Sequence, residues 1–186
     1  RNGSGKTTLF RLILGQEEYD SGTITIPKRY RVGHLSQHVR FKGKTVLKEA
    51  TLEMPVHEDG TDEAFRAKKI LLGLGFTSKD FDRDPLELSG GFQVRLSLAR
   101  VLVSEPNLLL LDEPTNYLDI VSVRWLIQFL KAWRNELILI THDRNFMDSA
   151  VTHTMGIHRT KIKKIAGSTH KLYEQILQEE EVYEQT

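Results

Sequence analysis

Apolar residues along this chain switch between a helical period and short unbroken runs, and the switches set the order of elements. Leu9, Leu12 and Ile13 share one helical face, which predicts a helix over Gly5–Leu14. Asp20-Ser21-Gly22 reads as a turn, and Thr23–Ile26 as a short strand stopped by Pro27. Tyr30–Leu35 reads as a second strand. Val46–Leu52 and Glu63–Leu72 have helical spacing, separated by breaks at Met54-Pro55 and Asp59-Gly60, and Ser78–Pro85 is polar and turn-like. Ser89-Gly90-Gly91 opens a helix that runs to about Ser104, before Pro106. Leu108–Asp112 is a continuous apolar run bounded by turn signals, the mark of a buried strand in a parallel sheet. Asp119 is placed to cap a helix over Ile120–Lys131, and Leu137–Thr141 reads as another buried strand. A short helix over Asp143–Ser149 and strands at His153–His158 and Ile162–Ile165 follow. From His170 onward the spacing is helical, with Leu172, Tyr173, Ile176, Leu177 and Tyr183 opposite Glu179, Glu180 and Glu181.

Strands alternating with helices give an α/β layered domain, and 186 residues suit one such domain. The net charge of +1 makes no global case for a nucleic acid or an acidic partner. No cysteine is present, which excludes disulfides, thiolate metal sites and cysteine nucleophiles, and fits a reducing, cytoplasmic setting. The longest apolar runs, Leu108–Leu111 and Leu137–Ile140, are far too short to span a bilayer, so no membrane insertion is expected. The chain begins at Arg1, without Met and inside a motif, and reads as a fragment.

That motif is Asn2-Gly3-Ser4-Gly5-Lys6-Thr7-Thr8. Glycines let successive backbone N–H groups turn onto an anion, lysine supplies a point charge, and the next hydroxyl suits Mg²⁺. A helix N-terminus behind the loop adds its dipole. Asp112-Glu113-Pro114 ends the buried strand, placing two carboxylates where ligands bind in α/β folds. There Asp112 suits Mg²⁺ and Glu113 suits a water proton. Leu88-Ser89-Gly90-Gly91 makes a second anion-binding helix start. Gln37, Asp119 and His142 each follow a strand or an acidic strand end. Taken singly, each feature has a plain alternative: a Gly/Ser turn before a helix, a solvated acid pair, a helix cap or a structural side chain. Their order along one domain length argues for a nucleotide site.

With these motifs in place, the chain resembles the ATP-binding cassette family over nearly its whole length. Lys6 and Thr7 match the Walker A motif, Gln37 the Q-loop, and Leu88-Ser89-Gly90-Gly91 the signature. Asp112 and Glu113 match Walker B and the catalytic glutamate, Asp119 the D-loop, and His142 the switch histidine. The resemblance implies a P-loop cassette: a mainly parallel sheet flanked by helices, with a small helical subdomain over residues 40–104. It implies two cassettes packed head to tail on ATP, each signature serving the partner's nucleotide. Phe92 stands where many members carry glutamine, with Gln93 one place later. The first core strand and the adenine-stacking aromatic would lie upstream of Arg1, so the isolated fragment is expected to fold poorly.

Three stretches are similar to sub-family F, soluble proteins with two cassettes in one chain that act on ribosomes. They are Asn116-Tyr117-Leu118 before Asp119, Arg144-Asn145-Phe146 after His142-Asp143, and Gly167–Tyr173 leading into a charged helix. The resemblance implies a first cassette over residues 1–168 and the start of an inter-domain linker helix over residues 169–186. It also implies action near ribosomal RNA and tRNA, in translation regulation or ribosome protection. A basic cluster of His158, Arg159, Lys161, Lys163, Lys164 and Lys171 suits RNA phosphates, or is a solvated hairpin. The alternative function is the ATP-binding subunit of a membrane transporter. In the chemistry expected, Lys6 and the loop amides of Asn2, Gly3, Ser4, Gly5 and Thr8 hold phosphates. Thr7, Asp112 and Gln37 hold Mg²⁺, Glu113 handles the water, and His142 contacts the γ-phosphate.

Overall fold

Three consecutive leucines, Leu109, Leu110 and Leu111, are at most 1% exposed, which a strand reaches only with neighbours on both edges and both faces. The computed structural model describes residues 5–35, 40–56, 63–158 and 161–184. Its strands are β1 (Val32–His34), β2 (Leu108–Asp112), β3 (Glu136–Ile140), β4 (His153–His158) and β5 (Lys161–Ala166). Its α-helices are α1 (Lys6–Ile13), α2 (Val46–Ala50), α3 (Glu63–Gly73), α4 (Gly90–Val103), α5 (Ile120–Lys131), α6 (Arg144–Ala150) and α7 (Thr169–Glu184). The chain forms two units, Ile24–Ile140 and Arg1–Thr23 with Thr141–Thr186.

In the unit Ile24–Ile140, β2 lies between β1 and β3, both parallel to it. Val32 stands opposite Leu108, and Asp112 opposite Ile140. Parallel neighbours need long crossovers. The one from β2 to β3 is α5, whose N-cap is Asp119, and α2, α3 and α4 lie between β1 and β2.

Two strand expectations are corrected. Thr23–Ile26 forms no strand, and Ile24 and Ile26 are 43% and 44% exposed. A strand needs a ladder partner, and among the described residues this segment has none. Leu137–Thr141 is not fully buried: β3 starts at Glu136, and only Ile140 of the strand is buried. Among the described residues β3 pairs on one side only. The strand expected at Tyr30–Leu35 shortens to β1: Tyr30 N donates to Pro27 O in a turn, and Arg31 accepts from Leu108 N through its carbonyl while its own N–H goes to a side chain. The Tyr30 hydroxyl bonds Glu136, and Arg31 N donates to Asn107 Oδ1 at 2.8 Å.

The helices α2 and α4 meet around a buried charge. Glu49 on α2 is 1% exposed, and its Oε2 accepts from Lys42 N at 2.8 Å and Gly43 N at 2.6 Å. Its Oε1 accepts from Arg100 Nη1 at 2.9 Å, and Arg100 also pairs with Glu53. These bonds compensate the carboxylate's lost hydration. Gly43 is obligatory at this turn, since a Cβ there would stand 2.5 Å from Glu49 N. The end of α3 meets α5 as closely: a Cβ on Gly73 would lie 1.9 Å from the Trp125 ring. Trp125 stacks on Phe129, which in turn lies against Trp133, with ring centres 5.1 and 5.8 Å apart.

In the other unit, β4 and β5 form an antiparallel hairpin. Leu172 of α7 is buried, and with Ile176 it packs over Gly156 of β4, where a Cβ would stand 3.0 Å from Leu172 Cδ2 and 3.4 Å from Ile176 Cδ1. Asp148 on α6 fixes the start of α7, its Oδ1 accepting from Thr169 N at 2.8 Å and its Oδ2 from Thr169 Oγ1 at 2.9 Å. Removing a side-chain acceptor at a helix start costs about 1 kcal/mol. Asp148→Ala in the full-length protein should therefore speed amide exchange over the first turn of α7. Unchanged protection there would show that the hairpin contacts alone hold the helix.

Candidate functional site

Site residues fall in both units, and each unit fixes its own. Of the phosphate-loop candidates, Asn2, Gly3 and Ser4 lie outside the described residues. Gly5 is the N-cap of α1 with φ 83°, a left-handed backbone that glycine adopts without strain. It offers no side-chain cap, so no N-cap oxygen competes with an anion for the first-turn amides. Lys6 is half-buried, and Thr7 and Thr8 are exposed. His142 is exposed between two anchors. Thr141 before it is 8% exposed and accepts from Asp143 N at 3.1 Å. Asp143 after it caps α6, accepting from Phe146 N at 3.0 Å.

In the unit Ile24–Ile140, β2 delivers Asp112 and Glu113 to the C-terminal edge of the sheet. Glu113 has φ 48°, uncommon for a residue with a Cβ, and its N–H donates to Ile140 O at 2.8 Å. Its Oε1 is buried. A bent backbone locked to the neighbouring strand aims the side chain, the arrangement in which active sites hold strain. Gln37 lies outside the described residues. At the end of β1, burial pushes the His34 imidazole below its ordinary pKa.

The signature residues start α4. Ser89 caps the helix by accepting from Phe92 N at 3.5 Å, and Gln93 Nε2 donates to Leu88 O at 3.2 Å. A Cβ on Gly90 would meet nothing within 4 Å, and one on Gly91 only Tyr117 at 3.8 Å. Internal packing therefore does not demand either glycine, and a bare backbone suits an outside ligand. Phe92 turns inward, edge-on to Phe76 at 5.1 Å between ring centres. It therefore works as packing where a glutamine would be polar.

Asp119 is occupied by its own helix. Its Oδ1 accepts from Val121 N at 3.0 Å and Ser122 N at 2.9 Å, and its Oδ2 accepts from Arg95 Nη1 at 3.0 Å. The Ser122 amide and then Arg95 hold its carboxyl below the usual range. Arg95 itself is the residue that sequence reading missed. Its only signal was a cation one turn into the signature helix, and nothing in the sequence marked its acceptors.

Among the described residues, no three His, Cys, Asp or Glu side chains converge as a metal site. Within the unit Ile24–Ile140, the Asp112 carboxylate at the end of β2 is a donor of the type Mg²⁺ takes, an ion that keeps waters and binds substrate phosphates. The basic cluster is partly neutralised: Lys163 pairs with Glu179, and His158 Nε2 lies 3.2 Å from Glu180. Lys171 Nζ donates to Ala166 O at 3.2 Å, and Arg159 lies outside the described residues. No helix among the described residues is long and apolar enough to cross a membrane.

The family model described as "ABC transporter" matches residues 1–116. Over 207 residues the chain is 31% identical to the ATP-binding protein YdiF of Bacillus subtilis (strain 168), covering 90% of this chain and 32% of YdiF. Over 203 residues it is 30% identical to "ATP-binding cassette sub-family F member 3" of Homo sapiens, covering 90% of this chain and 28% of that protein. It thus spans about a third of the length of these relatives, or less. The solved structure "Dimeric Structure of MJ0796, a Bacterial ABC Transporter Cassette" aligns with a TM-score of 0.69 at 22% identity, covering 89% of this chain and 82% of that one. The sub-family F relative agrees with the resemblance read from Asn116-Tyr117-Leu118 and Arg144-Asn145-Phe146. The family match, the P-loop α/β fold and the order of site residues lead to one conclusion: the chain belongs to the ABC transporter family of ATP-binding cassettes.

Proposed function

We propose that this chain is an ATP-hydrolysing cassette of sub-family F type, paired with a second cassette in the same full-length protein and acting on the ribosome in the cytoplasm. The observation that carries the hydrolytic reading is the end of β2, where Asp112 and a backbone-locked Glu113 leave the buried sheet together. Lys6 and the amides at Gly5 and the start of α1 attract the β- and γ-phosphates of ATP. Thr7 and Asp112, with Gln37, would hold Mg²⁺, which when bound neutralises charge on the phosphate oxygens. Glu113 accepts the proton of the attacking water, and His142 donates toward the γ-phosphate.

Ser89, Gly90 and Gly91 present an uncluttered helix start to the partner cassette's nucleotide, with Asp119 in the loop beside them. The dimeric title of the MJ0796 cassette supports pairing. The ribosomal reading rests on the sub-family F resemblance and on the name of the human relative. The transporter reading is supported by the description of the matched family and by the MJ0796 title. Residues 1–168 are proposed as the cassette, with the helical subdomain inside it, and residues 169–186 as the start of a linker helix.

Lys6→Ala in the full-length protein tests the nucleotide site. The affinity for a fluorescent ATP analogue should fall at least about tenfold, because a phosphate loses its charge-assisted bond. An unchanged affinity would remove Lys6 from the phosphates. Co-sedimentation of the full-length protein with ribosomes, against its recovery with membranes, separates the two partner readings.

A further inference from the structure

Arg95 joins three stretches of chain that are far apart in sequence. From the second turn of α4, its Nε donates to Tyr117 O at 2.7 Å. Its Nη1 donates to Leu74 O, just past α3, and to Asp119 Oδ2, each at 3.0 Å. Its Cζ lies 4.6 Å from the centre of the Phe92 ring, near enough for a cation–π contact. The side chain is 11% exposed, low for an arginine. Gly75 makes room for it: its φ is 92°, and a Cβ there would stand 2.5 Å from Arg95 Nη1. The acceptors are matched to a planar fork, with two carbonyls and one carboxylate reached at once.

We propose that Arg95 is a positioning residue that ties the Ser89-Gly90-Gly91 turn to the Tyr117-Leu118-Asp119 loop, so that a ligand seated on one sets the geometry of the other. Phe92 fixes the guanidinium from the signature side, where it also packs on Phe76. Tyr117 and Asp119 receive it on the loop side, only a few residues after Asp112 and Glu113. The link rests on the cassette function proposed above. It adds that the signature helix and the acidic loop of one cassette move as one piece, through a single side chain that touches no substrate. A lysine would keep the charge but reach one acceptor, leaving the loop to settle on its own.

The test uses the full-length protein and compares wild type, Arg95→Lys, Asp119→Asn and the double variant in steady-state ATP turnover. A loop displaced by a fraction of an ångström should lower kcat about tenfold in Arg95→Lys. KM and the affinity for a fluorescent ATP analogue should stay within about twofold of wild type, since Lys6 and its loop are untouched. The double variant should be no slower than the slower single variant, because both changes break the same link. The inference is overturned if Arg95→Lys keeps the wild-type kcat. It is equally overturned if the losses multiply in the double variant, or if kcat falls only in proportion to the folded fraction measured by circular dichroism. Absence of turnover in the wild type would remove the hydrolytic reading, and the inference with it.

Discussion

Glu113→Gln in the full-length protein is expected to keep ATP binding while turnover falls about a hundredfold or more, the range ascribed to a positioned general base. The amide is isosteric with the carboxylate, so it fills the same space around the buried Oε1 position. The left-handed backbone and the bond from Glu113 N to Ile140 O involve no side-chain charge, so the strand end should hold its shape. What changes is proton affinity: an amide oxygen cannot take a proton from water at neutral pH. With hydrolysis blocked, the protein should accumulate in its ATP-bound, paired form. Single-turnover hydrolysis and equilibrium binding of an ATP analogue, measured together, separate the two effects. Wild-type turnover in Glu113→Gln would show that another group handles the water.

Glu49→Ala should lower the unfolding free energy by about 3 kcal/mol, as expected when one partner of a buried ion pair is removed. The change strips two backbone amides, Lys42 and Gly43, of their acceptor and leaves Arg100 to Glu53 alone. Gly43 has no room to rearrange, because the Glu49 backbone stands against it. Glu53 is a control, since its side chain is 57% exposed on the solvent side of the same arginine. Its loss should cost under about 1 kcal/mol, as for exposed pairs. Urea unfolding of both variants, compared at equal m-value, gives the two numbers. Equal losses at the two positions would mean that the buried amides find other acceptors.

Elements written in local pattern matched what the sequence led one to expect. The continuous leucines of β2, the capped helix α5 and the strand β4 have the boundaries read from the chain. Each carries its own signal: an apolar run between turns, an Asp just before an apolar period, and a hairpin of alternating residues. Thr23–Ile26 carried a strand pattern too, but pattern does not supply a partner. The candidate site residues stand out in the sequence as short runs, Gly5-Lys6-Thr7, Ser89-Gly90-Gly91 and Asp112-Glu113, and the structure places them at the start of α1, the start of α4 and the end of β2. The destinations of Arg95 and Phe92 were not legible. Their partners, Leu74, Phe76, Tyr117 and Asp119, become neighbours only through tertiary packing.

The contact between Gly73 and Trp125 also has an optical consequence. The two tryptophans of the chain, Trp125 and Trp133, both lie on or just beyond α5, with Phe129 between them. The Trp125 indole is covered by a glycine, so no side chain would follow it if α3 drew back. Water would then reach the ring and move its emission to longer wavelength. Because Asp119 caps α5, the chain carries a built-in fluorescent reporter in the helix that its acidic loop opens, readable without any label.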